Sequence, residues 1–179
     1  MSLLEKEIKV LHIDLISLIV NLEKIGAQRV NMGSVCDHYY DLPDDSLQQT
    51  SSKRIRIRYQ KWWNKLTMKK RIPSNSMKIA HENEFTIDNY HSVKVLLWEY
   101  GLVPKWQKYK TRMTYVFGDI QYDIDLYPWI PPLVEIEAMS EEKVRYWIEI
   151  AWLGNYKTST SGAVWLMKRY GKTPVPLHE

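Results

Sequence analysis

The chain has 179 residues and a formal net charge of +4, a mild basic excess that fits an anionic partner without requiring one. Its 45% hydrophobic and 26% charged residues are typical of one folded domain and exclude the disordered, collagen-like and coiled-coil classes. We expect no signal peptide and no membrane partner, because the first residues are charged and no apolar run approaches the roughly 20 residues of a span. The lone Cys36 excludes an internal disulfide and favours a reducing, cytoplasmic setting.

The first half of the chain predicts six strands and two helices. A helix over 15–25 is expected between the N-cap Asp14 and a terminating Gly26, and Asp88 is expected to cap a second helix. A polar loop is predicted over 43–51. Alternating apolar and polar side chains predict the strands, which cover 4–11, 28–32, 36–42, 53–60, 66–72 and 77–87.

The second half predicts three more strands and two more helices. Gly118 and Asp119 are expected to form a hairpin turn, 127–132 a loop, and Ser140 a helix N-cap. The predicted strands cover 106–117, 120–126 and 133–138, and the last predicted helix covers 161–170. Since these strands must pair largely antiparallel, the sequence predicts a single α+β domain over 1–179, built on a large sheet or barrel.

Charged residues alternate with apolar ones along seven of the predicted strands, so that the charges of each strand share one face. They are sorted by sign, with acids in pairs and bases in groups of up to three. The basic set is Lys9, Arg54, Arg56, Arg58, Lys69, Arg71, Lys108, Lys110 and Arg112. The acidic set is Glu5, Glu7, Glu82, Glu84, Asp123, Asp125, Glu135 and Glu137.

For any one strand, a solvated outer face is the simplest explanation of such alternation. Solvated faces normally mix in uncharged polar residues, however, so the sorting across seven strands favours one enclosed, charged interior. The opposite, apolar faces are then expected to pack beneath helices; they carry Leu4, Ile8, Ile57, Tyr115, Ile124 and Ile136.

The two charged sets suggest a chemistry. Paired carboxylates repel one another unless a cation lies between them, and Mg²⁺ or Mn²⁺ prefers such oxygen ligands. Arginine and lysine rows donate hydrogen bonds to phosphate oxygens. An interior that holds both sets suits a metal-bound polyphosphate.

Seven short motifs resemble, in order, those of the CYTH superfamily, the triphosphate tunnel metalloenzymes, which include bacterial class IV adenylyl cyclases and thiamine triphosphatase-like proteins. They are Glu5-Lys6-Glu7-Ile8-Lys9, Tyr39-Tyr40-Asp41, Ile55-Arg56-Ile57-Arg58, Leu66-Thr67-Met68-Lys69, Glu82-Asn83-Glu84, Lys110-Thr111-Arg112 with Tyr115, and Asp125 with Glu135-Ile136-Glu137. The resemblance implies an eight-stranded antiparallel β-barrel, the triphosphate tunnel, with flanking α-helices. It also implies an Mg²⁺ or Mn²⁺ requirement and a triphosphate-bearing substrate. One departure is Ala80, which stands where the family often has an arginine; Lys78 is the nearest base on that face.

The leading hypothesis is therefore a metal-dependent phosphohydrolase that acts on a triphosphate. The basic set is expected to bind phosphate and the acidic set to bind metal, with Glu5, Glu7 and Lys9 as the catalytic residues. A class IV-type adenylyl cyclase, which converts ATP to cyclic AMP and pyrophosphate, is the main alternative. A non-catalytic triphosphate-binding protein is the third hypothesis, although binding alone would not need so many acids.

The substrate class stays open among ATP, thiamine triphosphate, inorganic triphosphate and an RNA 5′-triphosphate end; other nucleic acid is not expected. We expect a monomer or a homodimer. Trp62 and Trp63 lie at a predicted hairpin tip, where they could stack on a base or serve in packing or dimer contacts.

Overall fold

A computed structural model of the chain describes residues 3–177. The long strands are β1 Leu3–Leu11, β2 Gln28–Asp41, β3 Lys53–Tyr59, β4 Asn64–Ile72, β5 Lys78–Ile87, β6 Val103–Phe117, β7 Ile120–Tyr127 and β8 Ile130–Ala138. Two short strands follow, β9 Thr158–Ser159 and β10 Val175–Pro176. The helices are α1 Leu15–Lys24, α2 Ser46–Ser51, α3 Tyr90–Glu99, α4 Glu141–Ile150 and α5 Ala163–Arg169.

The eight long strands form a closed ring. Their hydrogen-bonded order is β6-β2-β3-β4-β5-β1-β8-β7, and β7 pairs back with β6. Every pairing is antiparallel. The predicted α+β fold with an eight-stranded antiparallel ring is confirmed. Each long strand therefore has two neighbouring strands, so none of these eight is an edge strand over its whole length.

The antiparallel ring has two open ends. The near mouth carries the β3–β4 turn, residues 60–63, together with the β6–β7 turn and the end of β8. The far mouth carries the start of β3, the end of β2 and the β7–β8 turn.

The apolar core lies outside the ring, between the strands and the helices. Ile8, Tyr115, Ile124 and Ile136 are buried in one cluster with residues of α1 and α4, and Ile57 is buried against Leu97 of α3 in another. The expectation was wrong for Leu4, which is half-buried and lines the interior cavity near the start of β1. Between residues 3 and 177, none of the helices has the length and apolarity that a membrane span requires.

Local signals set several helix ends as predicted. The Asp14 side chain accepts a hydrogen bond of 2.9 Å from the Ser17 amide at the start of α1. Gly26 follows the end of α1 with a φ of +84°, a left-handed conformation that glycine adopts without strain. Ser140 caps α4 by accepting a hydrogen bond of 3.2 Å from the Lys143 amide.

Other local predictions need correction. Residues 28–41 form one continuous strand rather than two, with a register shift between Arg29 and Asn31. The N-cap of α3 is Asn89, not Asp88. Strand β8 begins at Ile130, inside the predicted loop over 127–132.

The predicted loop over 43–51 contains the short helix α2. Its first amides are bound from outside the helix, because the Asp41 carboxylate accepts hydrogen bonds from Leu47 at 2.9 Å and from Gln48 at 3.1 Å. The local N-cap residue, Asp45, makes no side-chain capping bond. The Asp44 side chain accepts a hydrogen bond of 3.0 Å from the Ser46 amide, but the next two bonds come from the preceding strand, so the local capping signal is weak and the helix was missed.

Candidate functional site

The ring encloses a cavity of about 1070 Å³ that reaches both mouths. Among the residues that the structure describes, twelve basic and eight acidic side chains line this cavity. The structure brings together sixteen of the seventeen charged residues singled out in the sequence, all except Asp125. The four other charged lining residues are Lys53, Lys65, Lys78 and Asp119.

The charges form two facing walls. The basic wall consists of the neighbouring strands β6, β2, β3 and β4, and the acidic wall consists of β5, β1, β8 and β7. Lys9 and Lys78 stand in the acidic wall, and Asp37 stands in the basic wall. Because the ring order places the mainly basic strands side by side and the mainly acidic strands side by side, the two walls face each other across the cavity.

Lysines neutralise the acids of β1. Lys69 of β4 donates to both oxygens of Glu5, at 2.6 and 2.5 Å, and also pairs with Glu82 at 2.9 Å. Glu7 pairs with Lys9 and with Lys78, the base next to the arginine-to-alanine departure at position 80. Burial would raise the pKa of Glu7, but the lysines outweigh it and lower that pKa to about 2. Glu7 is therefore a carboxylate at any physiological pH.

Arg112 is the centre of a buried ion-pair network. Its guanidinium donates to Asp125 at 2.6 and 2.7 Å, to Glu135 at 2.6 Å and to Asp123. Lys110 adds a hydrogen bond of 2.6 Å to Asp125. Both oxygens of Asp125 are thus occupied by protein cations, and its side chain lies behind those cations rather than on the cavity surface.

Glu137 lacks the compensation that the other acids have. Among residues 3–177, no lysine, arginine or histidine lies within ion-pairing distance of its carboxylate. Burial, followed by repulsion from Glu5, raises the pKa of Glu137 to about 8; Lys69 only partly offsets this, and Glu7 and Asp123 add to the repulsion. A bound cation would relieve this repulsion.

The donor set here is chemically suited to a hard divalent cation, because Glu5, Glu7, Asp123 and Glu137 offer only carboxylate oxygens. As placed, the described side chains contain no group of three or more histidine, cysteine, aspartate or glutamate residues gathered as metal ligands. Lysines hold Glu5 and Glu7 instead, and Arg112 holds Asp123. The chemistry of the donors fits a cation, and binding it requires the acids to exchange their partners.

Lys110 is the base whose charge is most easily lost. Burial, with the neighbouring Arg112 guanidinium next, lowers the pKa of Lys110 to about 7. Its partner Asp125 only partly offsets these effects. An incoming phosphate would add a second anion beside Lys110, next to Asp125, so we expect anion binding to favour the protonated amine.

Asp37 of β2 is a site residue that the sequence reasoning missed. It is fully buried and accepts hydrogen bonds from Arg58 at 2.7 and 3.2 Å, with Lys108 at 3.4 Å and Arg56 at 3.8 Å. Burial would raise the pKa of Asp37, but these cations hold it well below its usual range. The acidic set predicted from the sequence contains acids that occur in pairs two residues apart. Asp37 shares a strand face with Tyr39, two residues on, rather than with a second acid, so it is not in that set.

We expect Asp37→Asn to lower the free energy of unfolding by about 2 kcal/mol, because the charged hydrogen bonds from Arg58 and the ion pairs with Lys108 and Arg56 lose their anion. Urea unfolding at pH 7 would measure this. The matched control is Asp119→Asn, whose acid lines the cavity, is half-exposed and pairs with Lys143 at the surface. An unfolding free energy of Asp37→Asn equal to that of the control would contradict this assignment.

The closed ring and its charged interior define a tunnel-fold protein. The model of the CYTH domain matches residues 3–150, and the chain therefore belongs to the CYTH domain family. Members of this family are generally dependent on a divalent metal. A comparison with curated proteins found no match.

Solved structures share this fold. PH1012 protein from Pyrococcus horikoshii OT3 is 17% identical, with 90% of this chain and 98% of that chain covered and a TM-score of 0.75. A candidate adenylate cyclase from Vibrio parahaemolyticus is 14% identical, with 94% and 99% covered and a TM-score of 0.80. HpAC1 from Hippeastrum, a candidate adenylyl cyclase described as having a dominant triphosphatase activity, is 16% identical, with 96% and 97% covered and a TM-score of 0.65. At these identities the likeness establishes the fold alone.

Proposed function

We propose that this protein is a phosphohydrolase that cleaves a triphosphate-bearing substrate inside the cavity and depends on Mg²⁺ or Mn²⁺. The observation that carries the proposal is the enclosed cavity with an excess of four basic over acidic side chains on its surface. Such an excess in a partly desolvated space favours a polyanion, and polyphosphate is the polyanion that forked arginines bind best. Family membership supports the same conclusion.

Substrate and metal are expected to bind cooperatively through an exchange of partners. Without ligand, Lys69 neutralises Glu5, and Lys9 and Lys78 neutralise Glu7. A triphosphate that takes these amines leaves the carboxylates free, and a divalent cation then replaces the lost positive charge. Glu137, already short of a cation, is the carboxylate that gains most.

The basic wall would bind and orient the phosphates. Arg56, Arg58 and Arg112 present forked donors, while Lys69 and Lys110 present single charges. Lys9 lies between Glu7 and Glu135, which outweigh burial and raise its pKa. Lys9 is therefore a protonated donor rather than a base, and we assign it to stabilising negative charge on the phosphoryl group.

The acidic wall would hold the metal through Glu5, Glu7, Asp123 and Glu137, with Glu82, Glu84 and Glu135 nearby. A divalent cation bound there supplies Lewis-acid polarisation of the phosphoryl group and a lowered pKa for an attacking water. We assign Asp125 a positioning role instead, because Arg112 and Lys110 occupy both of its oxygens.

The experiment that tests this proposal measures products and thermal stability together. ATP or tripolyphosphate with Mn²⁺ is expected to yield orthophosphate, whereas cyclic AMP with pyrophosphate would instead support the cyclase alternative. Tripolyphosphate plus Mn²⁺ is expected to stabilise the fold far more than either alone. At a ligand concentration 100 times the dissociation constant, the free energy of unfolding should rise by about 2.7 kcal/mol.

Arg58→Ala provides the comparison, since loss of its guanidinium fork should reduce the joint stabilisation. Equal stabilisation of Arg58→Ala and wild type would remove Arg58 from the phosphate site. If no triphosphate stabilises the wild type, with or without metal, the proposed function is wrong. We further propose a cytoplasmic protein, in keeping with its single free cysteine.

A further inference from the structure

The two mouths of the cavity differ in character. The far mouth is polar and basic, with Lys53, Arg54 and Arg71 lining the cavity beside Gln48 and Ser52. The near mouth is the one with aromatic and larger apolar side chains, which lie beside polar residues and the acidic Asp119; they are Trp62, Trp63, Val30, Leu4 and Met139. A ligand with one charged end and one apolar, planar end would therefore have a preferred direction in the cavity.

Trp62 and Trp63 belong to the β3–β4 turn, which the Gln60 amide closes with a 3.2 Å hydrogen bond to the Trp63 carbonyl oxygen. Trp63 continues the alternation of the cavity-facing residues Lys65 and Thr67 along β4. The Trp62 side chain lies at the tip and is 79% exposed. An indole so exposed at the rim of a charged cavity has large apolar area left uncovered.

Each of these indoles carries a lysine on its ring. Lys61 Nζ lies 4.6 Å from the Trp62 ring centroid, and Lys65 Nζ lies 4.4 Å from that of Trp63. Lys65 also pairs with Glu84 inside the cavity, which links the turn to the charged walls. The turn thus combines planar rings with cations, the combination that binds bases attached to phosphates.

Tyr39 is the other aromatic side chain that lines the cavity in residues 3–177. Its ring is already stacked on Trp106 at a centroid distance of 3.7 Å and is buried. Arg54 and Lys108 lie over the same ring, at 5.8 and 5.4 Å. The Tyr39 ring is therefore far less accessible than that of Trp62, and the β3–β4 turn is the better place for the planar ring of a ligand.

We propose that Trp62 and Trp63 form a stacking site for the planar ring of an organic triphosphate. The substrate class is then a triphosphate ester of a heteroaromatic compound, such as a nucleoside triphosphate, and not inorganic triphosphate. This inference rests on the proposed function. The phosphate chain points toward the basic far mouth, and the ring lies against the turn at the near mouth.

The spacing along β4 is compatible with this orientation. At about 3.3 Å per residue, Trp63 lies roughly 7 Å beyond Lys65 and roughly 20 Å beyond Lys69. An extended triphosphate ester laid along this strand passes Lys69 and Lys65 with its phosphates before its ring reaches the turn. Arg58, paired with Lys65 in the register of β3 and β4, lies at the same level.

The experiment compares two ligands in one set of variants. Calorimetry in EDTA and low salt, where metal-dependent turnover is prevented, measures the dissociation constants of ATP and of tripolyphosphate. For Trp62→Ala we expect the dissociation constant of ATP to rise about 10-fold, the loss typical of one stacked base, and that of tripolyphosphate to stay unchanged. Trp62→Phe should retain most of the affinity for ATP.

Trp98→Ala is the matched control, since Trp98 on α3 is 53% exposed and does not line the cavity. Its two dissociation constants should equal those of the wild type. The stacking site is wrong if Trp62→Ala and Trp63→Ala both bind ATP as the wild type does, or if they weaken tripolyphosphate as much as ATP. If the wild type still binds tripolyphosphate in that case, the stacking site is wrong but the proposed function stands. If the wild type binds neither ATP nor tripolyphosphate, both the stacking site and the proposed function are wrong.

Discussion

Arg112→Ala is expected to lower the free energy of unfolding by about 3–5 kcal/mol, the range for breaking a buried ion pair from one side. The guanidinium contacts Asp123, Asp125 and Glu135, all enclosed within the ring. Removing it leaves three carboxylates facing one another with only lysines to compensate them. Urea unfolding of the ligand-free protein, followed by circular dichroism, measures the change.

Arg145→Ala is the control, because Arg145 is 57% exposed and its ion pair is a surface i,i+4 pair with Glu141 on α4. Its unfolding free energy should stay within about 0.5 kcal/mol of the wild type. Arg112→Lys keeps the positive charge but loses the forked guanidinium, so its free energy of unfolding should lie between those of Arg112→Ala and Arg145→Ala. An Arg112→Ala protein as stable as Arg145→Ala would mean that the network contributes nothing to the fold.

Glu137→Gln is expected to abolish metal-dependent hydrolysis while stabilising the metal-free fold at alkaline pH. The pKa of Glu137 is raised to about 8, whereas an unfolded glutamate titrates near 4.5. Between these values the folded state holds a proton that the unfolded state has lost, so stability falls as pH rises through this window. The shift corresponds to at most about 5 kcal/mol of destabilisation above pH 8.

Melting temperatures in EDTA at pH 5 and pH 9 test the stability effect, and orthophosphate release with Mn²⁺ tests the activity. Relative to wild type, Glu137→Gln should melt higher at pH 9 and almost equally at pH 5. Glu84→Gln is the matched control, because Glu84 lines the same cavity but pairs with Lys65. If the melting temperatures of the wild type and of Glu137→Gln depend on pH in the same way, Glu137 is not a buried carboxylate with a raised pKa. Undiminished orthophosphate release by Glu137→Gln would remove Glu137 from the metal site.

Much of this fold was predictable, because a period of two is a strong signal where one strand face is charged and the other apolar. Arg54, Arg56 and Arg58 alternate with Ile55 and Ile57, and the structure keeps that division between cavity and core. The ring order was not predictable from periodicity, which says nothing about which strands pair. The division into a basic and an acidic wall follows only from that order.

The parts that were missed depend on contacts between distant residues. Two of the first α2 amides are bound by Asp41 of the preceding strand, a partner that no pattern within the helix itself indicates. Asp37 differs from the paired acids only in its surroundings, three cations from β3 and β6. The position of Asp125 behind Arg112, rather than on the cavity surface, likewise depends on which bases come nearest in the folded ring.

The closure of the ring has a consequence for how the chain reaches this state. β1 lies between β5 and β8, and its register joins Lys6 to Ala138 and Leu11 to Leu133. β1 thus lacks this neighbour until β8, far along the chain, has been made. Pairing two strands that are this far apart in the sequence costs loop-closure entropy before the stabilising contacts form, and this slows folding. The two walls consequently enclose the cavity only after β8 has been made, and until then the polar backbone of β1 stays unpaired on its β8 side.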